Sequence, residues 1–434
     1  MSSNNARVGF VYYPDDLHYT QNDLHTWLPI LKALGAHWLT LQSSPERAVP
    51  EPFLKGLIEA GIEPIIHIPM PIGRIPPTDL SPILRSYAQW GLHYVVIHDR
   101  PNLRQKWVHS EWGRKGLVER FLDHCIPILE NQRTFGLHPV FPPLEPGGDY
   151  WDVSFLKTAL ESLLRRVDTT LIEELTLAIY AWTYDKPLDW GAGGPSQWPE
   201  AKPYHTPVNC QDQIGFRIFE WYSEISTQVV GKALPMLVVA GGALPSPPQT
   251  NSSFDPHTEQ NFAIARALLQ NQIPENVRNF AFHCLAAAED SPAFHAAWYP
   301  TIETPLPIVE AFQRLLNLQI KQPTAAIRKP LKHYVLLPPD TDAVQALQAV
   351  IPFAIATKPV IGFSPKEARM AHQVTLFGDE AVIHHKVEEE LLAAGCKVER
   401  LIVGTDSKDY NSQSPDRYAF EANSQKPPPG GSDA

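Results

Sequence analysis

The sequence predicts an α/β protein, a (β/α)8 TIM barrel at residues 1–322 followed, after a linker at 323–331, by a small α/β module at 332–404. Three observations predict it. Short apolar runs of strand length alternate with longer segments of helical period, the pattern of a parallel sheet built from βαβ units. Eight such repeats fit into about 320 residues, the size of this barrel. The segments after the fourth to eighth strands are long and rich in Pro, Gly, Trp and Tyr, while those on the reverse side are short. That asymmetry marks the carboxyl end of the barrel as a built surface.

Taken in order, the strands are expected at residues 8–13, 37–42, 64–69, 94–98, 138–141, 175–182, 236–240 and 280–285. The helices between and after them are expected at 22–34, 52–60, 80–90, 115–131, 153–167, 212–230, 259–272 and 305–320. Gly35 and Gly61 directly follow the first two helices, where a left-handed cap costs glycine least, and Asp79 stands where it can cap the third. A doubly wound open sheet is the rival fold, but no glycine-rich phosphate loop follows the first strand. In the module, strands are expected at 333–337, 374–377 and 397–402 and helices at 343–353 and 380–394. Residues 405–434 are polar and end in Pro-Pro-Pro-Gly-Gly-Ser-Asp-Ala434, the composition of a disordered tail.

A net charge of -11 argues against nucleic-acid binding, which needs Lys/Arg surfaces to displace counterions. Cys125, Cys210, Cys284 and Cys396 are widely separated without CxxC spacing, so buried thiols are expected rather than a zinc cage or a disulfide framework. The start, Met1 to Arg7, lacks a signal-peptide pattern, and no apolar run is long enough for a membrane span. The expectation is a cytoplasmic protein without membrane contact, or an extracellular one if a signal has been removed from a precursor.

The chemistry-bearing positions cluster at the carboxyl ends of the expected strands. Strand four runs Tyr94-Val-Val-Ile-His98-Asp99-Arg100-Pro101-Asn102-Leu103, with Trp107 beyond it, and strand seven runs Met236-Leu-Val-Val-Ala240-Gly241-Gly242-Ala-Leu-Pro245. After strand five comes Leu144-Glu145-Pro146-Gly147-Gly148-Asp149-Tyr150, and after strand eight Ala297-Trp298-Tyr299. Over residues 7–320 this arrangement resembles the clan A glycoside hydrolases, (β/α)8 retaining glycosidases that include cellulases. The resemblance implies an Asn-Glu-Pro acid/base motif at strand four and a nucleophilic glutamate at strand seven. Here Asp99-Arg100-Pro101 takes the first place and Ala240-Gly241 the second, so both glutamates are missing.

Retaining hydrolysis needs two carboxyl groups about 5 Å apart, one of which exchanges a proton. Arginine stays protonated and cannot do so. A slip of one residue would bring Asp99 to the acid/base place. Asp15, Asp16, Glu145, Asp149, Asp185, Asp189, Glu289 and Asp290 are the other acids expected on this face. An inverting pair roughly 6.5 to 9.5 Å apart could be drawn from them.

The leading expectation is a catalytically degenerate glycosidase-like barrel that binds a glycan or other polar ligand, or acts as a scaffold. The alternative is an active glycoside hydrolase with relocated carboxylates from Asp99, Glu145 and Asp185. His98, Arg100, Asn102, Trp107, Trp182, Tyr184, Glu289 and Trp298 are the expected ligand-binding residues. Trp182 and Trp298 lead among the face aromatics, which otherwise include Trp112, Tyr150, Trp151, Trp190, Trp198 and Tyr299; these can stack on sugars or simply pack the loops. Arg100 either pairs with Asp99, Glu145 or Asp185, or holds an anionic ligand through its forked donors. His67, His98 and His283 at strand ends could ligate a metal with Asp99, but no His-x-His pair follows strand one, and hydrogen-bonded core histidines are expected instead. No Gly-x-Ser-x-Gly elbow supports acyl transfer. No metal or cofactor is expected. The module resembles a single cell-wall-binding repeat of the second type, on Phe377-Gly378-Asp379-Glu380-Ala381-Val382 and on the run from Val387 to Arg400. Such repeats normally occur in threes, so a single copy points away from cell-wall attachment and towards docking against the barrel or a protein partner.

Overall fold

The computed structural model describes residues 6–108, 111–244, 256–321, 329–338, 343–378 and 382–401. The chain divides into two compact units, Met1–Gln322 and Pro323–Ala434. The first runs β1 (Val8–Val11), α1 (Gln21–Ala33), β2 (Trp38–Gln42), α2 (Glu51–Glu59), β3 (Glu63–Ile68), α3 (Ser81–Gln89), β4 (Tyr94–Ile97), α4 (Leu117–Phe135) and β5 (Val140–Phe141). It continues with α5 (Asp152–Arg166), α6 (Thr169–Glu174), β6 (Thr176–Trp182), α7 (Gly194–Gln197), α8 (Ile218–Val230), β7 (Met236–Gly242), α9 (Pro256–Leu269), β8 (Val277–Phe282) and α10 (Pro307–Lys321).

The eight strands form one sheet in the order β4-β3-β2-β1-β8-β7-β6-β5, and every pair is parallel. Between β4 and β5 there is no ladder, yet the amide of His138 donates to the His93 carbonyl and that of Arg100 to the Pro143 carbonyl, both at 2.9 Å. The result is a nearly closed TIM barrel, as expected. Period-two alternation sorts its side chains. Val95 and Ile97, Leu177 and Ile179, Met236 and Val238, and Phe280 and Phe282 join the large cluster with the helices. The residues between them, Val96, Ala178, Leu237 and Ala281, join a separate cluster with Val11, Ile65, Tyr180 and Val239. Strands buried on both faces read as continuous apolar runs, which is why these were legible.

Local chemistry moved several boundaries. Gly35 and Gly61 take the left-handed conformation expected of them (φ 59° and 79°). Asp79 does not cap the third helix: a 3-10 turn at Pro77–Leu80 runs straight into α3, and no side-chain oxygen caps it. The expected helix at 212–230 begins only at Ile218, because the Asp212 carboxylate binds Lys186, Trp190 and the Ile214 amide (3.0, 2.8 and 3.1 Å) and holds the segment as a loop. Strand eight starts earlier than expected and stops at Phe282.

The second unit holds β9 (Leu331–Leu336), α11 (Ala343–Thr357), β10 (Val360–Gly362), α12 (Pro365–Ala368), β11 (Ala371–Phe377), α13 (His385–Ala393) and β12 (Lys397–Leu401). Its parallel sheet has the order β10-β9-β11-β12. Tyr334, Leu336, Val374 and Leu376 pack on one face with Leu391, and Val335, Leu337 and Phe377 on the other with Val350. Residues 323–328 of the expected linker, the start of the expected helix at 380–394 and the expected tail at 405–434 lie outside the described residues. Among the described residues no helix is long and apolar enough to cross a membrane.

Candidate functional site

At the carboxyl ends of the strands lies a cleft of about 340 Å³ lined by Val11, Pro14, Thr40, Gln42, His67, Pro69, Asp99, Arg100, Lys106, Tyr180, Trp182, Val239, Ala240 and His283. Its floor begins where β4 ends. His98 and Arg100 both take positive φ (71° and 50°), a conformation costly for bulky side chains and often stored at functional sites. Asn102, fully buried, fixes this turn. Its side-chain amide donates to the carbonyls of Glu145 and Tyr150 (2.8 and 3.0 Å), and its oxygen accepts from the Glu145 amide at 2.8 Å. Gly148 is glycine because a Cβ there would stand 2.5 Å from that amide nitrogen. Lys106 is placed by the next loop, which backbone bonds between Ile72 and both Lys106 and Val108 tie to the segment after β3.

Asp99 is 2% exposed and fully engaged. Arg100 Nε donates to both its oxygens (3.1 and 2.9 Å), Lys106 Nζ donates at 2.6 Å and the Tyr180 hydroxyl at 2.7 Å. Burial opposes ionisation of Asp99, but His67, protonated at the low pH where Asp99 titrates, together with Arg100 and Lys106 outweighs it and holds its carboxyl down at about 2. Arg100 Nη1 also reaches Glu145 at 3.3 Å, so of its expected partners it takes Asp99 and Glu145. Desolvation lowers His67, and brings His98 and His283 to about 4, leaving all three neutral near pH 7. His67 Nε2 lies 3.2 Å from the His98 carbonyl, so a neutral ring keeps its proton there and offers Nδ1 as an acceptor.

The expected site residues divide. Asp99, Arg100 and Trp182 meet in the cleft, with Glu145 behind Arg100. Trp182 lies parallel to Tyr180 (6.1 Å, 16°) and edge-on to His283 (5.3 Å, 84°). His98 is not among the lining residues: it is buried, with Nδ1 on the Met70 carbonyl (3.2 Å) and its ring near Phe121 of α4. Asn102 spends its amide on the loops. Trp107 is buried too, donating to the Pro101 carbonyl (2.7 Å), and with Trp112 lines a second cleft of about 700 Å³ beside Arg104 and Asp149. Tyr184, Asp185 and Glu289 are exposed and do not line the first cleft.

Trp298 belongs to the core instead, packed against Phe10, Phe282 and Phe312 at 4.9, 5.2 and 5.5 Å. Trp190 and Trp198 donate to Asp212 and the Ala192 carbonyl (2.8 and 2.9 Å) and pack their loop. Sequence reasoning missed Thr40, Gln42, Lys106 and Tyr180. Tyr180 had a signal, since it shares its strand face with Trp182 at a spacing of two; Lys106, in an irregular loop, had none. Among the described residues no group of three or more His, Cys, Asp or Glu is arranged to hold a metal, and all four cysteines are free and buried.

Asp152, fully buried at the start of α5, accepts from the Gly147 amide (2.8 Å), Gln213 (2.7 Å) and the Tyr222 hydroxyl (3.0 Å), yet desolvation still raises it to about 6. An acid raised in the folded state stabilises it fully below its ordinary value of 3.8 and loses that contribution as pH rises through about 6. Relative to Asp152→Asn, the wild-type unfolding free energy is expected to fall by roughly 3 kcal/mol across that window. Urea titrations at a series of pH values check this, and a parallel pH dependence in the variant would refute it.

No protein-family model matches the sequence, and no curated protein matches it. Solved structures do. Gas2 of Saccharomyces cerevisiae, in complex with laminaritetraose and laminaripentaose, aligns with a TM-score of 0.40 and 9% identity over 70% of this chain and 62% of that one. A second Gas2 structure, in complex with compound 7, gives 0.42 and 10% over 72% and 64%. A Bacteroides ovatus GH5 xyloglucanase in complex with a XXXG heptasaccharide gives 0.42 and 10% over 72% and 75%. This chain therefore spans under two thirds of the length of Gas2.

Proposed function

We propose that the barrel is a catalytically degenerate glycosidase-like protein that holds a carbohydrate in the cleft after β4 without cleaving it. The observation that carries this reading is the engagement of Asp99. A general acid must begin the reaction protonated, with a pKa near the working pH. Asp99, held at about 2, is ionised throughout the neutral range, and both its oxygens are occupied by Arg100, Lys106 and Tyr180. Glu145 is bound to Arg100, and β7 offers Val239 and Ala240 to the cleft. Trp182 supplies an aromatic wall on which a sugar ring can pack.

A panel of chromogenic glycosides is expected to give no turnover, while oligosaccharides titrated calorimetrically bind. Trp182→Ala is expected to weaken that binding about tenfold, or about 1.4 kcal/mol. Turnover abolished by Glu145→Gln or Asp99→Asn would replace this reading with an active hydrolase.

For the second unit we propose contact with a protein partner. The support is α11, fifteen residues without a charge, on which Leu347, Ile351 and Ile355 are exposed at successive turns. Replacing all three by Gln is expected to change unfolding free energy by less than about 0.5 kcal/mol per site. The same variant is expected to lose any partner recovered from the source cell by affinity capture; retention of that partner would reject the assignment.

A further inference from the structure

We infer that the ligand of the cleft is a sugar carrying one anionic group, a carboxylate or a phosphate, seated against Lys106 and Arg100. The inference rests on the proposed carbohydrate reading and narrows it. The charged side chains lining the cleft are Asp99 on one side and Arg100 and Lys106 on the other, two cations against one carboxylate. Glu145 compensates only from behind Arg100, at 3.3 Å, and does not line the cleft. His67 and His283 add no charge near neutral pH, since burial lowers both. An excess of positive charge in a chain whose net charge is -11 is a local arrangement and not a reflection of composition.

The cations are also reachable. The Lys106 side chain is 21% exposed, and its ammonium, with three N–H groups, is given one carboxylate to satisfy. The Arg100 side chain is 35% exposed.

A second, independent feature calls for hydroxyls. Thr40, 4% exposed, lies in the cleft wall with its Oγ1 lacking a hydrogen-bond partner, and His283 Nδ1 is buried and unpartnered in the same wall. Buried polar atoms left unsatisfied are costly, and a polyol can supply what both need. A neutral sugar would answer Thr40 and His283 but leave the excess cation. A free anion would do the reverse. A cleft of about 340 Å³, at the small end for ligand pockets, suits a ligand of one or two rings that does both.

The test is calorimetric titration of the full chain at pH 7 with D-glucuronate, D-glucose 6-phosphate and D-glucose. At least one of the two anionic sugars is expected to bind ten times more tightly than glucose or better, and which one does so identifies the anion. That preference is expected to shrink in about 1 M salt, where charges are screened within about 3 Å, a measurement that needs no variant. Lys106→Gln, checked for a cooperative melt, is expected to remove the preference for the anionic sugar over glucose; Thr40→Val is expected to weaken all three sugars alike. Glucose binding as tightly as both anions would overturn the inference and leave the carbohydrate reading standing. Binding of none of the three, nor of the neutral oligosaccharides, would overturn both.

Discussion

Asp99→Ala is expected to lower the unfolding free energy by about 3 to 5 kcal/mol, because it takes the buried carboxylate from two cations and a hydroxyl, leaving Lys106 and Tyr180 without that partner and Arg100 with Glu145 alone. Urea unfolding at pH 7 measures it, with the midpoint shifting at constant slope. The cost comes from the orphaned partners, so Asp99→Ala combined with Arg100→Leu and Lys106→Met is expected to recover most of the loss. A triple variant as unstable as the single one would mean that Asp99 acts through shape and not charge. The pH dependence has a definite sign. Because the folded-state value is depressed to about 2 from an ordinary 3.8, the contribution of Asp99 is complete above the ordinary value and disappears as pH falls through about 2. Asp152 works in the opposite direction at higher pH, so the two acids together favour a stability maximum on the acid side of neutral.

Trp298→Ala is expected to cost about 3 to 5 kcal/mol, the range for deleting a large aromatic from a packed core. Trp298 is fully buried, and its ring meets Phe10 of β1, Phe282 of β8 and Phe312 of α10. Close packing leaves these neighbours little room to close the gap. Thermal or urea unfolding reads the loss directly, and a change below about 1 kcal/mol would show that the layer relaxes into the void. The contrast with Trp182 is informative. Trp182, partly exposed at the cleft, is expected to report in binding, and Trp298 in stability.

Those two tryptophans also show where sequence reasoning reaches its limit. Both follow apolar runs on the loop-rich face, and composition cannot tell a ring that lines a cleft from one that closes a core. The barrel itself was legible because strands buried on both faces keep long apolar runs whatever their loops do. Asp99 and Arg100 were legible because they end such a strand. Asn102, in the same run, was read as a ligand contact because its all-backbone hydrogen bonding depends on Glu145 and Tyr150, more than forty positions away. Lys106 and Thr40 were invisible for the same reason. α6, Thr169–Glu174, escaped notice since it begins with two β-branched residues and is capped by Asp168 over less than two turns.

The missing ladder between β4 and β5 bears on all of this. A cylinder fastened along seven of its edges has one seam, and the seam runs beneath the cleft. Arg100 is stitched into it twice over, its amide holding the Pro143 carbonyl across the gap while its guanidinium clamps Asp99 and Glu145. Opening of the seam and release of the buried carboxylate thus share one residue. Whatever settles against Arg100 fastens the seam as well as filling the cleft.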